Sequence, residues 1–167
     1  PNTYEDQLDL YNDIFENNFS GNHLIGLGIT SRKTINNDYD YYNSFSIFDS
    51  KVNLIDNYNK IKLVPFGEFV PIENILNKFG LKTITNNIGS FDKGVNRKII
   101  KIRDDLKQIN FLPLICYEII YSGNLTKDFD FDFILNISED GWFGKSVGPK
   151  QHFIHSKFRS VENGKYI

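Results

Sequence analysis

The run Phe111-Leu112-Pro113-Leu114-Ile115-Cys116-Tyr117-Glu118 decides the fold. An unbroken apolar stretch ends in a thiol, a phenol and a carboxylate, the pattern of a strand buried on both faces whose end opens into a site. Reading back from it, Asn96 to Arg103 and Leu106 to Cys116 form the arms of a hairpin around Asp104-Asp105. Cys116 therefore stands at the carboxyl end of an interior strand, where open α/β sheets place their ligands. A thiol there reads in two ways, as a small buried apolar side chain, the commoner role, or as a nucleophile.

Working outward, Phe131 to Ile137 reads as another buried strand. Gln151 to Glu162 reads as a helix with Ile154, Phe158 and Val161 on one face and Gly164 as its stop. Towards the other end, Glu5 to Phe19 has helical spacing, closed by Ser20-Gly21. Leu24 to Thr30 and Tyr41 to Phe48 read as strands flanking an Asn-Asn-Asp loop, and Asp49-Ser50 turns the chain into a strand from Val52 to about Tyr58. Lys60 to Pro71, with two prolines and a glycine among bulky apolar residues, suits an ordered nonrepetitive loop, after which Pro71 starts a helix that Gly80 ends. Strands alternating with helices and hairpins predict one layered α/β domain over residues 1–167, with helices against a mixed sheet.

Composition removes several functions. A net charge of −2 spread over mixed positions, with no basic stripe, gives no electrostatic grip on nucleic acid. The longest apolar runs fall far short of the ~20 residues of a membrane-spanning helix. A single cysteine excludes an internal disulfide and a multi-cysteine zinc site. The chain has no methionine, begins at Pro1 and stops just after a helix stop, so both ends are expected to be cut from a longer protein.

Two further runs keep company with Cys116. Asn59-Lys60-Ile61-Lys62-Leu63-Val64-Pro65-Phe66-Gly67-Glu68-Phe69-Val70-Pro71 puts a lysine and a carboxylate on either side of a rigid loop. A lysine near a thiol favours the thiolate and can hold an oxyanion, while a carboxylate can move protons or fix that lysine. Leu135 to Gly144 puts the only tryptophan, Trp142, on a glycine-flanked turn after a buried strand, a position suited to a pocket wall or a core anchor. His152 and His155 sit three apart on the last helix without a third ligand at metal spacing, and they read as ordinary helix residues.

Together, Asn59 to Pro71, Cys116-Tyr117-Glu118 and Asn136 to His152 closely resemble the catalytic domain of the apolipoprotein N-acyltransferases, a membrane-anchored branch of the nitrilase superfamily. Leu63-Val64-Pro65-Phe66-Gly67-Glu68 followed by Val70-Pro71 is the most discriminating piece, and Gly148 to His152, Arg159 and Glu162-Asn163-Gly164 also match. The resemblance implies a nitrilase-like αββα sandwich in four layers, incomplete here at both ends, which adds a second sheet to the reading above. It implies Cys116 as nucleophile, Lys60 as the catalytic lysine ahead of its neighbour Lys62, and Glu68 as the essential second glutamate. Tyr117, Glu118 and Trp142 are implied as substrate-binding or site-supporting residues, with the Tyr117 amide helping to hold the oxyanion.

By the same resemblance, the activity expected is transfer of an acyl chain from a membrane phospholipid, through a Cys116 thioester, to the amino terminus of a diacylglyceryl-cysteine apolipoprotein. No metal or organic cofactor is implied. The domain is expected on the periplasmic face of the bacterial inner membrane, with Phe79 to Phe91 as a loop facing the bilayer. A soluble nitrilase-like amidase is the alternative. Two departures stand out: the tryptophan-proline-glutamate motif carrying the family's general base is missing, so that base is expected upstream of Pro1 and this piece is expected to be inactive alone, and Glu139 stands where the family shows asparagine.

Overall fold

The computed structural model describes residues 24–35, 38–71, 90–103, 107–123 and 125–167. The helix expected from Glu5 to Phe19 lies outside them. So does the helix expected after Pro71, and so does all but the end of the loop from Phe79 to Phe91.

Among the described residues, two separate three-stranded sheets form where the residues alone predicted a single mixed one. The first is antiparallel throughout, with β1 (Ile25–Ile35), β2 (Asp38–Phe48) and β3 (Leu54–Asn59) in that order. β1 runs further than its expected end at Thr30, because Ser31 to Ile35 pair with Asp38 to Tyr42. The Arg32 guanidinium lies 4.6 Å from the centre of the Tyr39 ring, so this polar arm is held by cross-strand contacts rather than by burial. The second sheet holds β4 (Ile100–Arg103), β5 (Gln108–Ile115) and β6 (Phe133–Ile137). β4 and β5 pair antiparallel, as the hairpin reading expects, whereas β5 and β6 are parallel.

Side-chain alternation sends Phe45 and Ile47 of β2 and Tyr58 of β3 toward Ile100, Phe111 and Ile115 of the second sheet, and these six form one buried cluster. Phe111 stacks on Phe133 at 5.5 Å and meets Phe45 edge-on at 6.2 Å, which fixes how the sheets face each other. Gly28 allows the close approach, since a Cβ there would sit 3.2 Å from Ile137. The alternate residues of β5, Leu112 and Leu114, are equally buried on the other face, with Ile119, Leu125, Phe131 and Ile134. On the far side of the first sheet, Ile25, Ile29, Phe48 and Val52 form a third cluster. β5 is thus buried on both faces, as its sequence predicts.

The last helix, α1 (Gly148–Asn163), begins three residues before its expected start, with Pro149 in its first turn, where a missing N–H costs nothing. It ends at Gly164, whose φ of 59° is the left-handed conformation glycine adopts freely. The apolar face is not the buried one. Ile154, Phe158 and Val161 are exposed, and the buried residues are His152 and Arg159, seven apart on the opposite side. α1 packs on the 3₁₀ turns after β5 (Cys116–Ile120) and after β6 (Asp140–Phe143), which meet it with a backbone carbonyl and a carboxylate, so polar positions are the ones drawn inward.

Candidate active site

Lys60 continues β3 by one residue, its N–H bonded to the Asn43 carbonyl at 2.8 Å. Alternation gives it the same inward face as Tyr58, and it is 1% exposed. A buried ammonium needs a partner, and the Glu68 carboxylate supplies one at 2.8 Å. Glu68 is placed by a loop that closes on itself: its own N–H and that of Gly67 donate to the Val64 carbonyl, and Val64 N–H donates to its Oε2 at 2.8 Å. Asn43 Nδ2 donates to the same Oε1 that takes the lysine, at 2.6 Å. Lys62 is exposed instead, its Nζ 5.4 Å from the centre of the Tyr121 ring. The two lysines that the sequence set side by side are therefore separated by environment.

Gly94 backs Lys60 from outside the loop. Its N–H donates to the Lys60 carbonyl at 2.8 Å, and a Cβ at Gly94 would overlap the Asn59 carbonyl. Only glycine lets the two backbones come this close.

Cys116 opens the 3₁₀ turn at the carboxyl end of β5 with φ at 49°, a left-handed value that costs a non-glycine residue about 1–3 kcal/mol. It is half-buried, against the cluster that contains Tyr58 and Ile115. Glu118, fully buried two residues on, binds the neighbouring segments together. Its Oε2 accepts from Ile115 N–H at 2.9 Å, and its Oε1 accepts from Ile61 N–H at 3.0 Å, Lys62 N–H at 3.1 Å and an Arg97 guanidinium nitrogen at 3.2 Å. The Tyr58 hydroxyl donates to both oxygens, at 2.9 and 3.0 Å. Burial, with the Glu118 charge beside it, pushes the Tyr58 phenol far above its ordinary pKa. One carboxylate thus joins the chain on both sides of Lys60 to the residue before Cys116.

Tyr117 is half-buried, its ring edge-on to Tyr121 at 5.5 Å. Burial, then the neighbouring Tyr117, raises the Tyr121 phenol. Beside them an open cavity of about 460 Å³ is lined by Lys62, Arg97, Tyr121 and Ser122 among others. Trp142 stands on the turn after β6, 83% exposed. Glu139 caps that turn by accepting from Gly141 N–H at 2.7 Å.

Sequence reasoning passed over His152. It is buried, its Nδ1 lies 2.8 Å from Asp140 Oδ1 and 3.3 Å from the Ser138 hydroxyl, and its Nε2 lies 3.0 Å from the Cys116 carbonyl oxygen. The Ser138 hydroxyl, then the imidazole, hold the Asp140 carboxyl below its usual range. The signal for this contact was faint: a serine and an aspartate after a strand, and a histidine within a helix pattern read for its apolar residues.

A two-sheet α/β sandwich with a strained cysteine at the end of an interior strand of one sheet, and an ion-paired lysine continuing a strand of the other, has the layout of a nitrilase-like domain. The chain belongs to the carbon-nitrogen hydrolase family, whose profile matches residues 20–167. Among curated relatives, the apolipoprotein N-acyltransferase of Rhizobium leguminosarum bv. trifolii (strain WSM2304) is 42% identical over 125 residues, covering 74% of this chain and 23% of the relative. That of Agrobacterium fabrum (strain C58 / ATCC 33970) is 41% identical over the same shares. The chain thus spans about a quarter of the length of the curated relatives it matches. Two solved structures share the fold. They are a glutamine-dependent NAD+ synthetase from Acinetobacter baumannii (TM-score 0.57, 17% identity, 96% of this chain and 25% of that one) and an amidase from Nesterenkonia sp. (TM-score 0.55, 12% identity, 97% and 51%).

Proposed function

We propose that this domain performs the covalent chemistry of an apolipoprotein N-acyltransferase, with Cys116 as nucleophile, Lys60 steadying the oxyanion and Glu68 holding the lysine. The observation that carries this reading is the bracket built by Glu118, which joins the segment around Lys60 to the strained turn of Cys116. The names of the curated relatives support the transferase over other carbon-nitrogen hydrolase activities.

In the first half-reaction the Cys116 sulfur attacks the ester carbonyl of a phospholipid. A C–S bond forms, the negative charge moves to the carbonyl oxygen, and collapse breaks the C–O bond to release a lysophospholipid that takes a proton. In the second, the α-amine of a diacylglyceryl-cysteine apolipoprotein attacks the thioester, a C–N bond forms, the C–S bond breaks, and the amine proton goes to a base. A carboxylate base takes the thiol proton first and the amine proton later. The charged oxygen recurs in both steps, so a donor fixed near it acts twice: Lys60 is pre-organised by Glu68, and the Tyr117 amide is the second donor. Tyr117, Glu118 and Trp142 support the site and its substrates, and the protein works at the periplasmic face of the bacterial inner membrane, where both lipid substrates lie. Among the described residues no helix is long and apolar enough to cross a membrane.

The test is mass spectrometry of the complete protein after incubation with phospholipid alone. A hydroxylamine-labile acyl mass on the Cys116 peptide is expected. Unmodified Cys116 in folded protein, together with ammonia release from simple amides, would instead establish an amidase.

A further inference from the structure

His152 lies between two groups that can only accept. Asp140 is an ionised carboxylate, its carboxyl held below the usual range, and the Cys116 oxygen is a backbone carbonyl. A neutral imidazole has one N–H and one lone pair, so either tautomer turns a lone pair on one of these oxygens at hydrogen-bond distance. Donation to the Cys116 carbonyl needs a proton on Nε2, and donation to both oxygens needs one on each nitrogen. The other groups facing this position are the Ser138 hydroxyl, which reaches both Nδ1 and Asp140, and the Phe143 ring at 6.1 Å. From the turn after β5 the titratable side chains are the Cys116 thiol, Tyr117 and Glu118, the last committed to the bonds described above. His155 and Lys150 are the nearest titratable neighbours on α1 itself.

The Cys116 carbonyl belongs to the same planar trans peptide as the Tyr117 N–H, so the two point in opposite directions. Fixing the oxygen on α1 therefore fixes the direction of the N–H, and a donor on the oxygen polarises the peptide and strengthens that N–H as a donor. The first N–H groups of a helical turn have no partner within the turn, and Tyr117 is the second residue of this one. We infer that His152 is a positioning residue whose Nε2 grips the Cys116 carbonyl and so aims and strengthens the Tyr117 amide toward the oxyanion formed on acylation of Cys116. This rests on Cys116 being the nucleophile.

The experiment uses the complete protein and three reagents. They are phospholipid, p-nitrophenyl butyrate as an activated acyl donor whose nitrophenol burst reports acylation, and iodoacetamide, which alkylates the thiol without forming an oxyanion. In His152→Ala, acylation by either donor is expected to slow by about 10²-fold, the usual cost of losing one oxyanion donor, with the dependence on donor concentration unchanged. Alkylation of Cys116 is expected to stay near the wild-type rate, because the thiol itself remains. His152→Gln keeps a donor directed at the Cys116 carbonyl and is expected to recover part of the acylation rate.

Acylation in His152→Ala at the wild-type rate overturns the inference, as does an equal loss of acylation and alkylation, which marks a merely structural role. Acylation in His152→Gln no faster than in His152→Ala overturns the grip on the carbonyl. Acylation by p-nitrophenyl butyrate but not by phospholipid defeats the transferase reading and leaves the test of His152 intact.

Discussion

Replacing Glu118 by glutamine changes one atom of a fully buried side chain, and the structure fixes what that atom must lose. Oε1 takes two backbone N–H groups, a guanidinium nitrogen and the Tyr58 hydroxyl, while Oε2 takes Ile115 N–H and the same hydroxyl. The amide oxygen keeps the larger set, so its NH₂ must point at Ile115 N–H, donor against donor. An unsatisfied buried N–H costs about 1–3 kcal/mol. Arg97, 12% exposed, loses its ionised partner, and breaking a buried pair from one side costs about 3–5 kcal/mol when the remaining charge is fully enclosed. Since Arg97 retains some solvent access, the lower end of that range applies, and the two losses overlap through one side chain. The net expectation is about 3–5 kcal/mol. For a domain of this size that is a fall in melting temperature on the order of 6–20 °C. Thermal unfolding of the complete protein, followed by a signal from this domain, measures it. A Glu118→Gln protein within about 1 kcal/mol of wild type would refute the claim that this carboxylate binds the Lys60 segment to the Cys116 strand.

Two other substitutions test the backbone around the site. Gly94→Ala pushes a methyl into the Asn59 carbonyl, a backbone atom that cannot swing away, so destabilisation of about 1–3 kcal/mol is expected in the same melt, with slower acylation of Cys116 as Lys60 shifts. Cys116→Gly relieves the left-handed strain at φ 49°, so among variants lacking the thiol it should melt above Cys116→Ala by about 1 kcal/mol; equal melting of the two would show that the turn is not strained.

Most strands were legible because periodicity survives in the residues themselves. The apolar run of β5 announced burial on both faces, and the alternation in Tyr41 to Phe48 announced β2. What periodicity does not carry is which strand pairs with which. The first three strands and the last three look alike whether they share one sheet or face each other across Phe45 and Phe111, and that contact is side chain on side chain. The second sheet accordingly came from family resemblance, not from the pattern. The helix was legible from the same periodicity, but its apolar stripe does not mark the buried face: the rule that a helix buries its apolar stripe assumes an apolar neighbour, and α1 packs on two turns that present oxygens.

The same logic explains why the paired groups in the site were easier to find than the group that aims them. A lysine and Glu68 stand out as charges among bulky apolar residues, the resemblance chose Lys60 over Lys62, and their separation by eight positions closes into a loop once Val64 bonds to the Glu68 carboxylate. Cys116 stands out as the only thiol in the chain. His152 acts through a carbonyl oxygen, which every residue possesses, so no sequence pattern marks its target. Such a contact becomes visible only when the strain at Cys116 is seen and one asks what holds it. Two holds answer, Glu118 on the N–H of Ile115 and His152 on the carbonyl of Cys116, one on each side of the left-handed residue. A strained residue over-determined from both sides keeps its geometry as a charge forms and collapses beside it, and that constancy is what the two proposed acyl transfers would require.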